Sequence, residues 1–158
     1  TGVQTCALPI SFCHPGTTDV AYWTHQMGKP RQNTWYGLAF ERICMLHIPQ
    51  IKKSLGIEQI YTEYYSWRSK CSTPAAQIDL LIERADHLIN LCEIKYSQSP
   101  YSITKEEELR IRTRMADFVE ETGVRHGILP TLITTFGIRP TAHSAIAQVQ
   151  LTMDDLFT

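Results

Sequence analysis

From about residue 34 onward, hydrophobic and polar positions fall into rhythms that change from helical to extended and back. TWYGLAFERICMLHI places apolar residues at helical spacing behind Asn33 or Thr34, either of which suits an N-cap, and the pattern stops at Pro49. A short continuation over residues 50–55 ends at Gly56. IEQIYTEYYSW then alternates and is rich in Ile, Tyr and Trp, which predicts a strand over residues 57–67. QIDLLIERADHLINLCEIKY predicts two more strands, 77–84 and 88–96, joined by Ala85, Asp86 and His87, a length suited to a hairpin. Their nearly continuous apolar runs predict burial on both faces.

Thr104 with Glu107 three positions later reads as a capping box, and it predicts a helix over 105–122 closed by Gly123. GILPTLITTFG predicts a further strand in which Pro130 marks an edge or a bulge. AQVQLTMDDLF predicts a last strand, followed by a short helical turn capped by Thr152. An antiparallel meander followed by a helical crossover implies an α/β fold, a mixed sheet flanked by helices.

Composition narrows the function. The chain has 158 residues, enough for one domain, and 43% of them are hydrophobic, enough for a real core. A formal net charge of -1 argues against non-specific nucleic-acid binding by the whole surface, though not against a local basic rim. No apolar run is long enough to cross a bilayer, so the expected location is the cytoplasm. Cys6, Cys13, Cys44, Cys71 and Cys92 are scattered without paired spacing, which fits reduced thiols rather than a disulfide framework. Cys44 and His47 share a helix face, but without a second pair they read as core filling rather than metal ligands. MGKP lacks the spacing and hydroxyl of a phosphate-binding loop, so this segment is not expected to bind ATP itself.

The first ten residues, TGVQTCALPI, resemble the translation of a sequencing adaptor and are set aside as an expected artefact. Residues 11–33 read as a linker or arm from a missing upstream region, and residues 34–158 as the domain.

Within that domain, charges stand where apolar residues are expected. On a strand, Glu93 and Lys95 share a face with Ile89 and Leu91, and hairpin pairing sets Asp79 beside Glu93 if the register is suitable. Two adjacent carboxylates raise each other's pKa unless a cation lies between them. Mg²⁺, with Mn²⁺ as a substitute, is the expected ion, since it binds through one or two carboxylates together with a substrate phosphate. Lys95 beside it would hold the attacking water or stabilise charge developing on phosphorus. Glu41 lies on a helical stripe with Leu38, Met45 and Ile48, and either reaches the same cluster or pairs with an arginine at the rim. Gln77 shares the face of Asp79 and either orients water or is a surface amide.

Asp79, then Glu93-Ile94-Lys95, with Glu41 on the preceding helix, resembles the PD-(D/E)XK nuclease superfamily, which has the restriction-endonuclease-like fold. The resemblance runs over about residues 34–157, and Ile78 replaces the proline of the motif. More narrowly, NTWYGLAFERICMLHIPQIKKSLGI, QIDLLIERADHLINLCEIKYS and VQLTMDDLF look like the C-terminal domain of Bacteroidetes-type ATPases of the archaeal-type AAA+ group. The resemblance implies metal ligation by Asp79 and Glu93 with help from the Ile94 carbonyl, Lys95 as the catalytic lysine, and Glu41 as an auxiliary acid. DNA is then the substrate, and an ATPase domain of the same native chain is the partner. The rival expectation is a silent interaction module of that ATPase. Arg110, Arg112 and Arg114 read first as a solvated face, with phosphate contact as the alternative. Lys52, Lys53, Arg68 and Lys70 are candidates for a positive rim. Trp35, Tyr36, Tyr64, Tyr65 and Trp67 read as core or docking residues, and His126 and His143 as isolated loop histidines.

Overall fold

The computed structural model describes residues 30–71 and 75–157. Residues 1–10, and the greater part of the expected linker, lie outside them. Five strands form one sheet in the order β1-β2-β3-β4-β5, with β1 at Thr62–Arg68, β2 at Gln77–Arg84, β3 at Leu88–Lys95, β4 at Gly127–Thr134 and β5 at Val149–Thr152. The first three strands pair antiparallel, while β3–β4 and β4–β5 pair parallel. The chain is an α/β domain with a mixed sheet flanked by helices, in the element order that the hydrophobic pattern predicts.

Helix α1, Pro30–Leu46, begins ahead of the expected cap, so Asn33 and Thr34 lie inside it. A proline near a helix start costs no hydrogen bond, because the first N–H groups of a helix have no partner within it. Pro49 does not merely stop this helix. It sits in the first turn of a second one, α2, at Ile48–Ser54. The strand expected from residue 57 begins only at Thr62, because Ile57 is drawn into the core by the turn after α2.

Helices α1 and α2 cover one face of the sheet: Phe40, Cys44, Ile48 and Ile51 pack on Leu80, Ile82, Cys92 and Ile94. Leu38 is 50% exposed, so the buried stripe of α1 runs through Phe40 and Cys44, and Glu41 stands on its flank. Helix α3, Lys105–Thr122, covers the opposite face. Phe118 packs on Ile78, Leu81, Ile89 and Leu91, and Ile111 on Leu132 and Ile103. Its capping box is formed as the sequence predicts, and Gly123 closes it with a φ of 66°.

Ala85, Asp86 and His87 form the hairpin loop, with His87 at a φ of 65° supplying the left-handed turn that usually falls to glycine. Pro130 lies in β4 opposite Leu91, one residue before the first β4–β5 pair, so its missing N–H removes no bond from β5. The expected cap at Thr152 is reversed. Asp155 accepts from both the backbone N–H and the hydroxyl of Thr152, at 2.7 and 2.8 Å.

Candidate active site at the end of the third strand

The β2–β3 register decides whether the charged residues meet. Leu81 pairs with Leu91 and Leu80 with Cys92, and the ladder stops there, one step short of Asp79 and Glu93. On its other side β2 carries a bulge. Between Tyr65 and Trp67 of β1 it spends three steps, Leu81 to Ile78, and both of those residues enter the cluster under α3. Strict alternation therefore breaks at Asp79 and Leu80, a device that re-aims side chains. Gln77, the first residue of β2, donates from Nε2 to Asp79 Oδ1 at 2.6 Å.

Glu93 is 12% exposed, on the face covered by α3. One carboxylate oxygen receives Lys95 Nζ at 2.7 Å and the other Arg114 Nη1 at 2.5 Å. Burial pushes the Glu93 pKa up, but Lys95 and Arg114 beside it outweigh burial and hold it below the ordinary glutamate range. Glu41 behaves oppositely. Burial first, then the nearby charges of Asp79 and Glu93, push it up, and Lys95 pulls it part of the way back. Glu41 thus feels the charges of Asp79, Lys95 and Glu93, and Glu93 feels those of Lys95 and Arg114. Ile94, between Glu93 and Lys95, turns its side chain into the core under α1, so only its backbone carbonyl is available for ligation.

Lys95, the last residue of β3, separates two recesses. One is a cleft of about 310 Å³ lined by Asn33, Gly37, Glu41 and Tyr96. The other is a crevice of about 10 Å³ bounded by Glu93, Tyr101, Glu107, Arg110 and Arg114. Thr134, opposite Lys95 in β4, has a buried hydroxyl with no hydrogen-bond partner. The site lies at the carboxyl ends of the parallel strands β3 and β4, where open α/β sheets bind ligands.

No family model and no curated protein matches the chain. Among solved structures it is similar to the crystal structure of a protein of unknown function, AF1548, at 18% identity and a TM-score of 0.47. That match covers 72% of this chain and 64% of the other, a likeness too loose to assign an activity.

The donor types nearby suit a hard divalent cation: the carboxylates of Glu41, Asp79 and Glu93, the first with its pKa raised chiefly by burial, and the Ile94 backbone carbonyl. Among the described residues, no three His, Cys, Asp or Glu side chains are already gathered as a ligand set. Elsewhere the charges are used structurally. Arg110 and Arg112 reach back to Glu107 and Glu108 on their own helix. His143 Nδ1 lies 2.7 Å from Glu108, and His126 Nδ1 lies 3.3 Å from Glu83. His47 donates to the carbonyl of Ile43 at 2.8 Å while Cys44 is buried, so the two do not form a ligand pair. Trp67 packs edge-on against Phe118, and Tyr36 lies against Tyr96. Tyr64 and Tyr65, expected as core or docking residues, are not in the core: they are 60% and 36% exposed because β1 is an edge strand with one open face.

Arg114 was grouped by sequence with its outward neighbours, and its position is a finding of the structure. The signal was present: Ile111, Arg114, Met115 and Phe118 stand at i, i+3, i+4 and i+7, so Arg114 belongs to the apolar stripe that faces the sheet.

Proposed function

We propose that this domain is a Mg²⁺-dependent DNA phosphodiester hydrolase of the PD-(D/E)XK type, working in the cytoplasm as the C-terminal part of an AAA+ ATPase. The observation that supports the reading is the electrostatic proximity of Asp79, Glu93 and Lys95 to Glu41, contributed by a helix and the two strands of one hairpin. Buried charge is costly, and a packed strand has no structural need for this combination.

Asp79, Glu93 and the Ile94 carbonyl would hold Mg²⁺, or Mn²⁺ in its place; bound there, the ion supplies Lewis-acid polarisation of a phosphoryl oxygen. Lys95 orients the attacking water and stabilises charge developing on the phosphoryl oxygens. Glu41, with its raised proton affinity, is suited to accept a proton from that water. Gln77 fixes Asp79 through the bond to its carboxylate.

Purified domain with Mg²⁺ or Mn²⁺ should nick plasmid DNA. Asp79→Ala and Lys95→Ala should each lower the rate on the order of 10²-fold or more, as loss of a residue that stabilises developing charge does. Nicking that survives both substitutions would refute the reading. A second reading, a silent module that serves the ATPase by contact alone, draws on one observation: both oxygens of Glu93 are already neutralised by side-chain cations. It requires that neither variant alter any metal-dependent property of the domain.

A further inference from the structure

We infer that Arg114 is a displaceable counter-ion of Glu93 that regulates metal entry, an inference resting on the hydrolase reading above. Its guanidinium holds one Glu93 oxygen at 2.5 Å while Lys95 holds the other at 2.7 Å, so each oxygen already faces a cation that a metal would have to approach. The crevice around this trio has a volume of about 10 Å³, roughly the space of one water. Mg²⁺ keeps several waters when it binds to a protein, and that assembly does not fit until one of the two cations moves.

Both head groups have a route to solvent, Lys95 being 33% and Arg114 25% exposed. Arg114 is the one that leaves, because the hydrolase reading keeps Lys95 at the site, and Arg114 reaches across from α3 rather than from the strand that carries Glu93. Its position on the apolar stripe between Ile111 and Phe118 means that it was not placed there to be solvated. The arrangement answers a physical difficulty of a metal site that is sometimes empty. A carboxylate this buried needs a positive neighbour at all times, and Arg114 serves until a divalent ion replaces it. The metal-free domain is thereby stable and closed, and metal binding competes with an internal ion pair.

The test is calorimetric titration of the wild-type domain, Arg114→Gln and Arg114→Lys with magnesium chloride and with manganese chloride, paired with thermal melts without and with metal. Arg114→Gln removes the competitor, and its metal affinity should rise on the order of tenfold, the size of a close ion pair's effect on a carboxylate. Arg114→Lys, which keeps the charge without the guanidinium fork, should fall between wild type and Arg114→Gln, and it serves alone if Arg114→Gln does not fold. The metal-free melting temperature should drop in Arg114→Gln and recover with metal. Binding by the glutamine variant but not by wild type would also support the inference. If wild type binds and the variants bind equally or more weakly, Arg114 is only a structural ion pair: the inference fails and the hydrolase reading stands. Binding by none of the three would overturn both.

Discussion

Single residues in this domain differ in how far their surroundings change their chemistry. Cys44 sits in the core between α1 and the sheet, and burial, with Glu41 nearby, pushes its thiol up to about 12. Cys92, beside it in the same cluster, is also pushed up by burial. A folded-state pKa above the unfolded value favours the protonated, folded form. The stabilisation is complete below about pH 9 and is lost as pH rises through 9 toward 12. Thermal melts should therefore show a falling midpoint above about pH 9, less steeply in Cys44→Ala. Iodoacetamide should label Cys71, which is exposed, and spare Cys44 and Cys92 until the domain unfolds. At this scale the sequence identified the charged residues by type, because Asp, Glu and Lys among aliphatic residues are anomalous in any fold. Arg114 was read together with Arg110 and Arg112, although the helical spacing of Ile111, Met115 and Phe118 marks its side of α3 as the one that meets Ile89, Leu91 and Leu132.

Elements were the most legible level where their signals are local. Helix α3 matches its predicted span because its start and stop are set by neighbours in the chain: Thr104 and Glu107 bond each other's backbone N–H groups, and Gly123 takes the left-handed conformation. Thr104→Ala should cost about 1 kcal/mol in urea denaturation, the usual loss for an N-cap hydroxyl. The effect should stay near that value because Glu107 retains its bond to the Thr104 N–H and to the Tyr101 hydroxyl. The hairpin of β2 and β3 is equally local, and both strands fall where the pattern predicts. Boundaries failed where the deciding partner is distant. Residues 57–61 alternate like a strand, yet Ile57 follows α2 into the core, and the ladder with β2 begins at Thr62 opposite Arg84. Pro49 fits both the end of one helix and the first turn of the next, and packing of Ile48 and Ile51 on the sheet selects the second.

The described residues form one sheet held between two helical layers, and the candidate site stands at a carboxyl-terminal strand end. Phe118 joins α3 to the sheet through Ile78, Leu81, Ile89 and Leu91. Phe118→Ala should lower stability by about 3–5 kcal/mol, read as a shift of the urea midpoint with little change in slope. The sequence by itself determined the α/β class, the order of elements, and the identity of Glu41, Gln77, Asp79, Glu93 and Lys95 as candidates, while Ile94 entered only through what the family resemblance implies. Those conclusions rest on periodicity, capping and charge placement, which are properties of neighbouring residues. The tertiary structure alone decided that the β2–β3 ladder ends at Leu80 and Cys92, that a bulge breaks the alternation at Asp79, and that Arg114 comes from α3 to take a Glu93 oxygen. Register, bulges and contacts between layers are set by the fit of whole surfaces, and no stretch of the chain contains the surface it will meet.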